Sequence, residues 1–98
     1  MPVDDDRMRA VAALRFRALG DETRLRILEH LVAGECSVTD LTERVAVGQS
    51  LMSHHLRILR EAGLVIDRRV GRWIHYAIAE TALASAKLTL YELEPMRR

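Results

Sequence analysis

The chain of 98 residues has very little cysteine and few aromatic side chains. Cys36 is the single cysteine, which excludes an intrachain disulfide and any metal cage that one chain would build from cysteines alone. The only other soft ligands are four scattered histidines: His30, His54, His55 and His75. This composition fits neither a disulfide-stabilised secreted domain nor a cysteine-rich zinc module.

Long apolar runs and a secretory signal are also missing. No stretch approaches the roughly 18 to 20 apolar residues that a membrane-spanning helix needs. The N-terminus carries three successive aspartates at positions 4–6, where a signal peptide would begin basic and then become apolar. These absences predict a cytoplasmic protein without a membrane partner.

The length and the 49% of hydrophobic residues predict one folded domain over residues 1–98. No glycine-rich phosphate-binding loop is present. Ser50 or Ser53 with His54 would lie on adjacent helical turns of a small convex domain that offers no pocket. We therefore expect neither an enzyme nor a bound cofactor.

The charges are segregated along the chain, although the formal net charge is only +1. Residues 1–48 hold seven arginines and nine acidic residues, whereas residues 49–76 hold five arginines and two acidic residues. All but one of the basic residues are arginine, whose planar fork suits phosphate and guanine. The basic middle third is the candidate segment for contacts with nucleic acid.

A 3.6-residue period of apolar side chains predicts five helices. Asp21 and Ser37 are expected to cap the second and third helices, and Gly34 and Gly63 to end the second and fourth. The predicted helices cover residues 7–19, 22 to about 32, 38–45, 49 to the stop at 63, and 79–93. The predicted apolar face of the second helix is Leu25, Leu28 and Val32, with Ile27 and Leu31 beside them. The predicted face of the fourth helix is Met52, Leu56 and Leu59, with Ile58 and His55 at the margin, and that of the last helix is Leu83, Ala86, Leu90 and Leu93.

After the fourth helix the apolar period changes from 3.6 to 2, which predicts a β-hairpin. Its strands are expected over residues 64–69 and 72–78, with Val70 and Gly71 as the two-residue connection. The predicted fold class is mainly α with a small β-hairpin (α+β). Its element order, ααααββα, is that of a winged helix-turn-helix.

In a winged helix-turn-helix the second helix of the motif enters the major groove of DNA, and the hairpin, or wing, lies along the phosphates. In this chain that helix is the fourth predicted helix. A charged hairpin tip alone is usually a solvated turn, and a serine-rich first turn is often only a helix cap. Together, in consecutive segments that share one surface, they favour DNA binding. The candidate residues are Gln49, Ser50, Ser53, His54 and Arg57 on the helix and a cluster of Arg68, Arg69 and Arg72 at the hairpin tip.

Three stretches, Phe16–Leu28, Gln49–Val65 and Arg68–Tyr76, resemble the ArsR/SmtB family of bacterial winged-helix repressors. The likeness runs over about residues 14–78, and the Ser-His-His-Leu-Arg-Ile-Leu-Arg stretch in the fourth helix is quite specific. The resemblance implies a cytoplasmic homodimer, joined through its first and last helices, that binds a pseudo-palindromic operator and is released by an inducer. The DNA contacts that it implies are Gln49, Ser50, Ser53 and His54, after Gly48 where family members commonly carry a serine cap.

The metal ligands of that family are not found at their usual positions. One family site uses a Cys-Val-Cys stretch, for which this chain has Ser37 and Thr39, with Cys36 one position early. Another uses Asp and His of the last helix, and residues 79–93 contain neither. We expect Cys36 to be a small buried hydrophobe and assign no metal ligand.

Two alternatives remain open from the sequence. Besides the DNA-binding repressor that the resemblance implies, the chain could be a metal sensor with a nonstandard site. It could also be a winged-helix module whose DNA binding or sensing depends on a partner protein. Redox sensing by Cys36 would need a disulfide between subunits or a capped thiol.

Overall fold

The structure, a computed structural model, describes residues 5–96, which form five α-helices and three short β-strands. The helices are Asp5–Leu19 (α1), Glu22–Leu31 (α2), Val38–Val45 (α3), Gln49–Glu61 (α4) and Glu80–Glu92 (α5). The strands are Cys36–Ser37 (β1), Val65–Val70 (β2) and Trp73–Ile78 (β3). The five predicted helices and the predicted fold class are confirmed.

One strand, β1, is absent from the sequence prediction. It pairs antiparallel with β3, Cys36 opposite Tyr76 and Ser37 opposite His75, and gives a three-stranded sheet in the order β1-β3-β2. The element order is therefore ααβααββα rather than ααααββα. A strand of two residues is too short for an alternating pattern to be recognised, so only the tertiary pairing reveals it.

The hairpin turn lies one residue further along the chain than predicted. Val70 pairs with Trp73, so the two connecting residues are Gly71 and Arg72. Gly71 has a φ of +61°, whereas Arg72 does not have a positive φ. A glycine with positive φ at the first position alone is typical of a type II′ turn, which suits the twist of a hairpin.

The predicted caps of α2 and α3 are confirmed. The Asp21 carboxylate accepts a hydrogen bond from the backbone N–H of Arg24 at 3.0 Å, and the Ser37 hydroxyl accepts one from that of Asp40 at 3.1 Å. In contrast, Gly48 begins α4 without a side-chain cap. These caps satisfy backbone donors that have no partner inside the helix.

The core lies between α2, α3, α4 and the sheet. The predicted apolar face of α4 is buried, but that of α2 is wrong by about one residue because Leu25 and Val32 are exposed. Ile27, Leu28 and Leu31 form the buried face instead. The largest fully buried side chains are Ile27, Leu41, Val45, Met52, Leu56, Leu59, Leu64 and Val65.

The terminal helices pack against each other and leave apolar side chains on the surface. On α1, Met8 and Val11 are 58% and 42% exposed. Of the predicted stripe on α5, Ala86 is buried, whereas Leu90 and Leu93 are exposed. Within residues 5–96 no helix is long and apolar enough to span a membrane.

Candidate nucleic-acid interface

The exposed face of α4 carries the polar residues that the sequence singled out. Gln49, Ser50, Ser53, His54 and Arg57 are all exposed, on the side of the helix opposite its buried face. The turn before α4 passes through Ala46, whose left-handed φ of 58° lets the chain reverse direction after α3. The first turns of α4 therefore present exposed amide, hydroxyl and imidazole groups to solvent.

An open groove of about 540 Å³ runs between α4 and the hairpin. Gln49, Ser53 and Arg57 line its helix side, and Arg72 lines its hairpin side. Arg57 and Arg72 are 15 positions apart in the sequence, yet the fold brings both to one groove. The structure thus places four of the eight sequence candidates together, while Ser50 and His54 are exposed on α4 outside the groove lining.

Three further groove residues are absent from the sequence prediction. Arg60 lies eleven residues, or three helical turns, after Gln49, so the helical period alone would have placed it on the same side of α4. Thr39 comes from the start of α3 and Trp73, half-exposed, from β3. No local pattern indicates these two, because tertiary packing brings them to the groove.

Polar contacts hold the rim of this groove. Arg60 Nη1 lies 3.6 Å from Asp67 Oδ2, which links α4 to β2. Arg57 Nη2 lies 3.5 Å from His54 Nδ1 on the exposed side of α4. The Arg57 guanidinium therefore stays in reach of solvent beside a second polar group.

The three hairpin arginines are not equivalent. Arg69 and Arg72 are exposed near the turn, and no ion pair of either side chain is found among residues 5–96. Arg68 instead binds the Glu35 carboxylate of the α2–β1 loop through both Nε, at 2.8 Å from Oε2, and Nη2. These hydrogen bonds lower the pKa of Glu35, and they show that Arg68 is held along the strand rather than at the predicted tip cluster.

His55 lies on the other side of α4 and is buried, not at the margin as predicted. At 7% exposure it is the most buried histidine, acidic or basic residue among those described. Arg24 Nη1 lies 3.2 Å from His55 Nδ1, and Asp21 Oδ2 lies 3.9 Å from the same nitrogen. Burial lowers the pKa of His55 most, the Arg24 and His54 charges lower it further, and Asp21 opposes them.

This buried imidazole predicts a pH-dependent stability. The free energy of unfolding should fall as the pH drops below about 6.5, the ordinary pKa of histidine, because the unfolded chain takes up the proton more readily than the folded one. His55→Gln cannot titrate and should remove this part of the pH dependence. Urea unfolding at a series of pH values measures it, with His30→Gln as the control; an unchanged pH dependence in His55→Gln would contradict the prediction.

Cys36 is buried in β1, as expected for a small hydrophobe. Its Sγ lies 3.8 Å from Arg44 Nη1 and 4.0 Å from the Gly34 carbonyl. Over residues 5–96 no group of three or more His, Cys, Asp or Glu side chains is placed to hold a metal ion.

Known proteins are similar to this chain in both sequence and fold. The profile described as bacterial regulatory protein, arsR family, matches residues 21–67. The chain is 42% identical to the HTH-type transcriptional regulator NmtR of Mycobacterium tuberculosis over 82% of this chain and 67% of that protein. It is 37% identical to the transcriptional repressor SdpR of Bacillus subtilis over 69% of this chain and 76% of that protein.

A solved structure supports the same conclusion. The homodimeric winged helix-turn-helix DNA-binding domain of Mb0332 from Mycobacterium bovis, a possible ArsR-family regulator, has a TM-score of 0.79 and 26% identity, over 94% of this chain and 87% of that one. The chain spans between about half and three quarters of the length of the curated relatives it matches. Sequence and fold together show that the chain belongs to the arsR family of bacterial regulatory proteins.

Proposed function

We propose that the chain is a dimeric, sequence-specific DNA-binding transcriptional repressor, located in the cytoplasm where bacterial DNA lies. The observation that carries this proposal is the groove in which the polar first turns of α4 meet Arg72 of the hairpin. An exposed polar helix beside a basic hairpin has the chemistry to read base edges and to hold phosphates. No enzyme activity and no cofactor are part of the proposal.

The proposed division of work follows from side-chain chemistry. Gln49, Ser50, Ser53 and His54 carry amide, hydroxyl and imidazole groups that can pair with donors and acceptors in the major groove. Arg69 and Arg72 supply guanidinium groups for phosphates that form no ion pair within residues 5–96, and Arg57 supplies one whose Nη2 lies 3.5 Å from His54 Nδ1. Arg68 is already paired with Glu35, so we expect it to contribute less to phosphate binding. Occupation of a promoter by this surface would block transcription by occlusion.

The proposed dimer uses the apolar surface of α1 and α5. Met8, Val11 and Leu88 line an open groove there, with charged residues at its edge. Mb0332 has the same fold and is a homodimer, which supports the same assembly here. A two-fold dimer would set two recognition helices about 34 to 36 Å apart, so the operator should be a pseudo-palindrome.

Ser53→Ala should weaken binding to the operator by about 1 to 3 kcal/mol while it leaves binding to random DNA nearly unchanged. The reason is that Ser53 is exposed on α4, lines the groove and makes no side-chain hydrogen bond within residues 5–96 that the substitution would remove. Fluorescence anisotropy with an operator duplex selected in vitro and a random duplex measures both affinities. Equal losses on the two duplexes would show that Ser53 does not read bases.

A further inference from the structure

One side chain, Arg24 of α2, connects three helices. Its Nε donates to the Ala18 carbonyl at 2.7 Å and its Nη2 to the Arg17 carbonyl at 3.2 Å, both at the end of α1. Its Nη1 lies 3.2 Å from His55 Nδ1 on α4. Each guanidinium nitrogen therefore has its own acceptor, and the acceptors belong to the two helices that flank α2.

The chemistry of these contacts depends on arginine. The last carbonyls of a helix have no partner within the helix and carry its negative dipole end, so a cation that donates to them is stabilised there. A planar fork of fixed geometry reaches both carbonyls and the imidazole at once, whereas the single ammonium of lysine is a compact point charge that does not reproduce this fork. The charge of Arg24 is thus less important than its shape.

The imidazole of His55 has a matching constraint. Because Arg24 has only donors, Nδ1 of His55 must be the acceptor, and the ring must be neutral with its proton on Nε2. Asp21 and Arg24 face this ring from α2, and His54 is its neighbour on α4. A buried polar group without a partner costs stability, so the pair Arg24–His55 restrains α4 against the end of α1.

We propose that Arg24 is a positioning residue that sets the orientation of α4 relative to α1 and thereby the spacing of the two recognition helices on DNA. This inference rests on the proposed function, in which α1 belongs to the dimer surface and α4 reads the bases. Any rotation of α4 against α1 would be repeated in the second protomer by the two-fold axis. A change too small to disturb one half-site would therefore misplace the second recognition helix.

The experiment compares one half-site with two. The full-site probe is a duplex selected in vitro with the wild-type protein, and the half-site probe is the same duplex with one half scrambled. Arg24→Lys, which keeps the charge, and Arg24→Gln should lose about 3- to 30-fold in affinity for the full site and stay within about twofold on the half-site. They should also discriminate less against full sites with one base pair inserted between the halves.

Matched variants separate positioning from general destabilisation. Arg26→Gln, on the exposed side of the same helix, should behave as wild type on both probes. His55→Leu should reproduce the pattern of Arg24→Gln, the double variant should add nothing further, and His55→Gln, which retains an acceptor, should restore much of the full-site affinity. Sedimentation equilibrium of each variant verifies that the dimer is intact.

Equal losses on the full site and the half-site, or no loss on either, would overturn the inference while the proposed function stands. If the wild-type protein does not prefer two half-sites to one, the proposed dimeric function itself fails, and this inference fails with it. The two failures are distinguished because the second is seen with the wild-type protein alone.

Discussion

Val11→Lys is expected to dissociate the dimer and to lower the affinity for a full operator site by about 100-fold or more. Val11 lies on α1 in the groove shared with α5, and a lysine there would place an added charge in the proposed dimer interface. A monomer binds one half-site at a time and loses the additional affinity that a dimer gains by binding two linked half-sites. Lysine is chosen because its added positive charge does not by itself weaken binding to DNA.

The control for Val11→Lys is Val32→Lys. Val32 is 76% exposed at the end of α2 and is not among the described residues that line the groove between α1 and α5, so this variant adds the same charge elsewhere. Sedimentation equilibrium gives the assembly state, and anisotropy gives the affinity for full and half-sites. A Val11→Lys protein that remains dimeric, or that is monomeric with unchanged full-site affinity, would show that α1 and α5 do not form the DNA-binding dimer.

The second large effect is expected from the hairpin. The double variant Arg69→Ala with Arg72→Ala removes two exposed guanidinium groups per protomer and four per dimer. Each lost phosphate contact reduces the slope of log affinity against log salt by about 0.9, so the slope should flatten by about 3 to 4 units. The loss should be similar on operator and random duplexes, because phosphate contacts carry no sequence information.

Anisotropy titrations over a range of salt concentrations measure that slope. Arg26→Ala, which removes an exposed arginine of α2 outside the groove, is the control and should leave the slope nearly unchanged. Arg68→Ala removes a guanidinium already paired with Glu35, so a comparison with Arg72→Ala reports how far that ion pair competes with DNA. A double variant with the wild-type slope would mean that the hairpin tip does not contact phosphates.

Local signals made most of the fold predictable. The 3.6-residue period and the caps at Asp21 and Ser37 depend on neighbours within one or two turns, and the structure confirms them. The predicted hairpin turn differs from the observed one by one residue. The alternating apolar pattern indicates the two strands but does not indicate which two residues connect them. The element order and the polar first turns of the fourth helix indicated the proposed recognition helix, and the family resemblance then pointed to the same residues, which are exposed in the structure.

The features that sequence reasoning missed depend on distant partners. Arg24 and His55 are 31 residues apart, and Glu35 and Arg68 are 33 apart, so no spacing rule pairs them. A histidine next to an apolar stripe gives no local sign that a partly buried arginine will reach it. The strand β1 likewise forms by pairing with β3, which lies about 40 residues further along the chain.

The most direct test is fluorescence anisotropy of the purified protein with the DNA upstream of its own gene, with a random duplex of equal length as the control. We expect tight binding that favours the upstream duplex, weakens steeply with salt and saturates at two protomers per site. Weak and equal binding to both duplexes would contradict the proposed repressor and would favour a winged-helix module that depends on a partner protein.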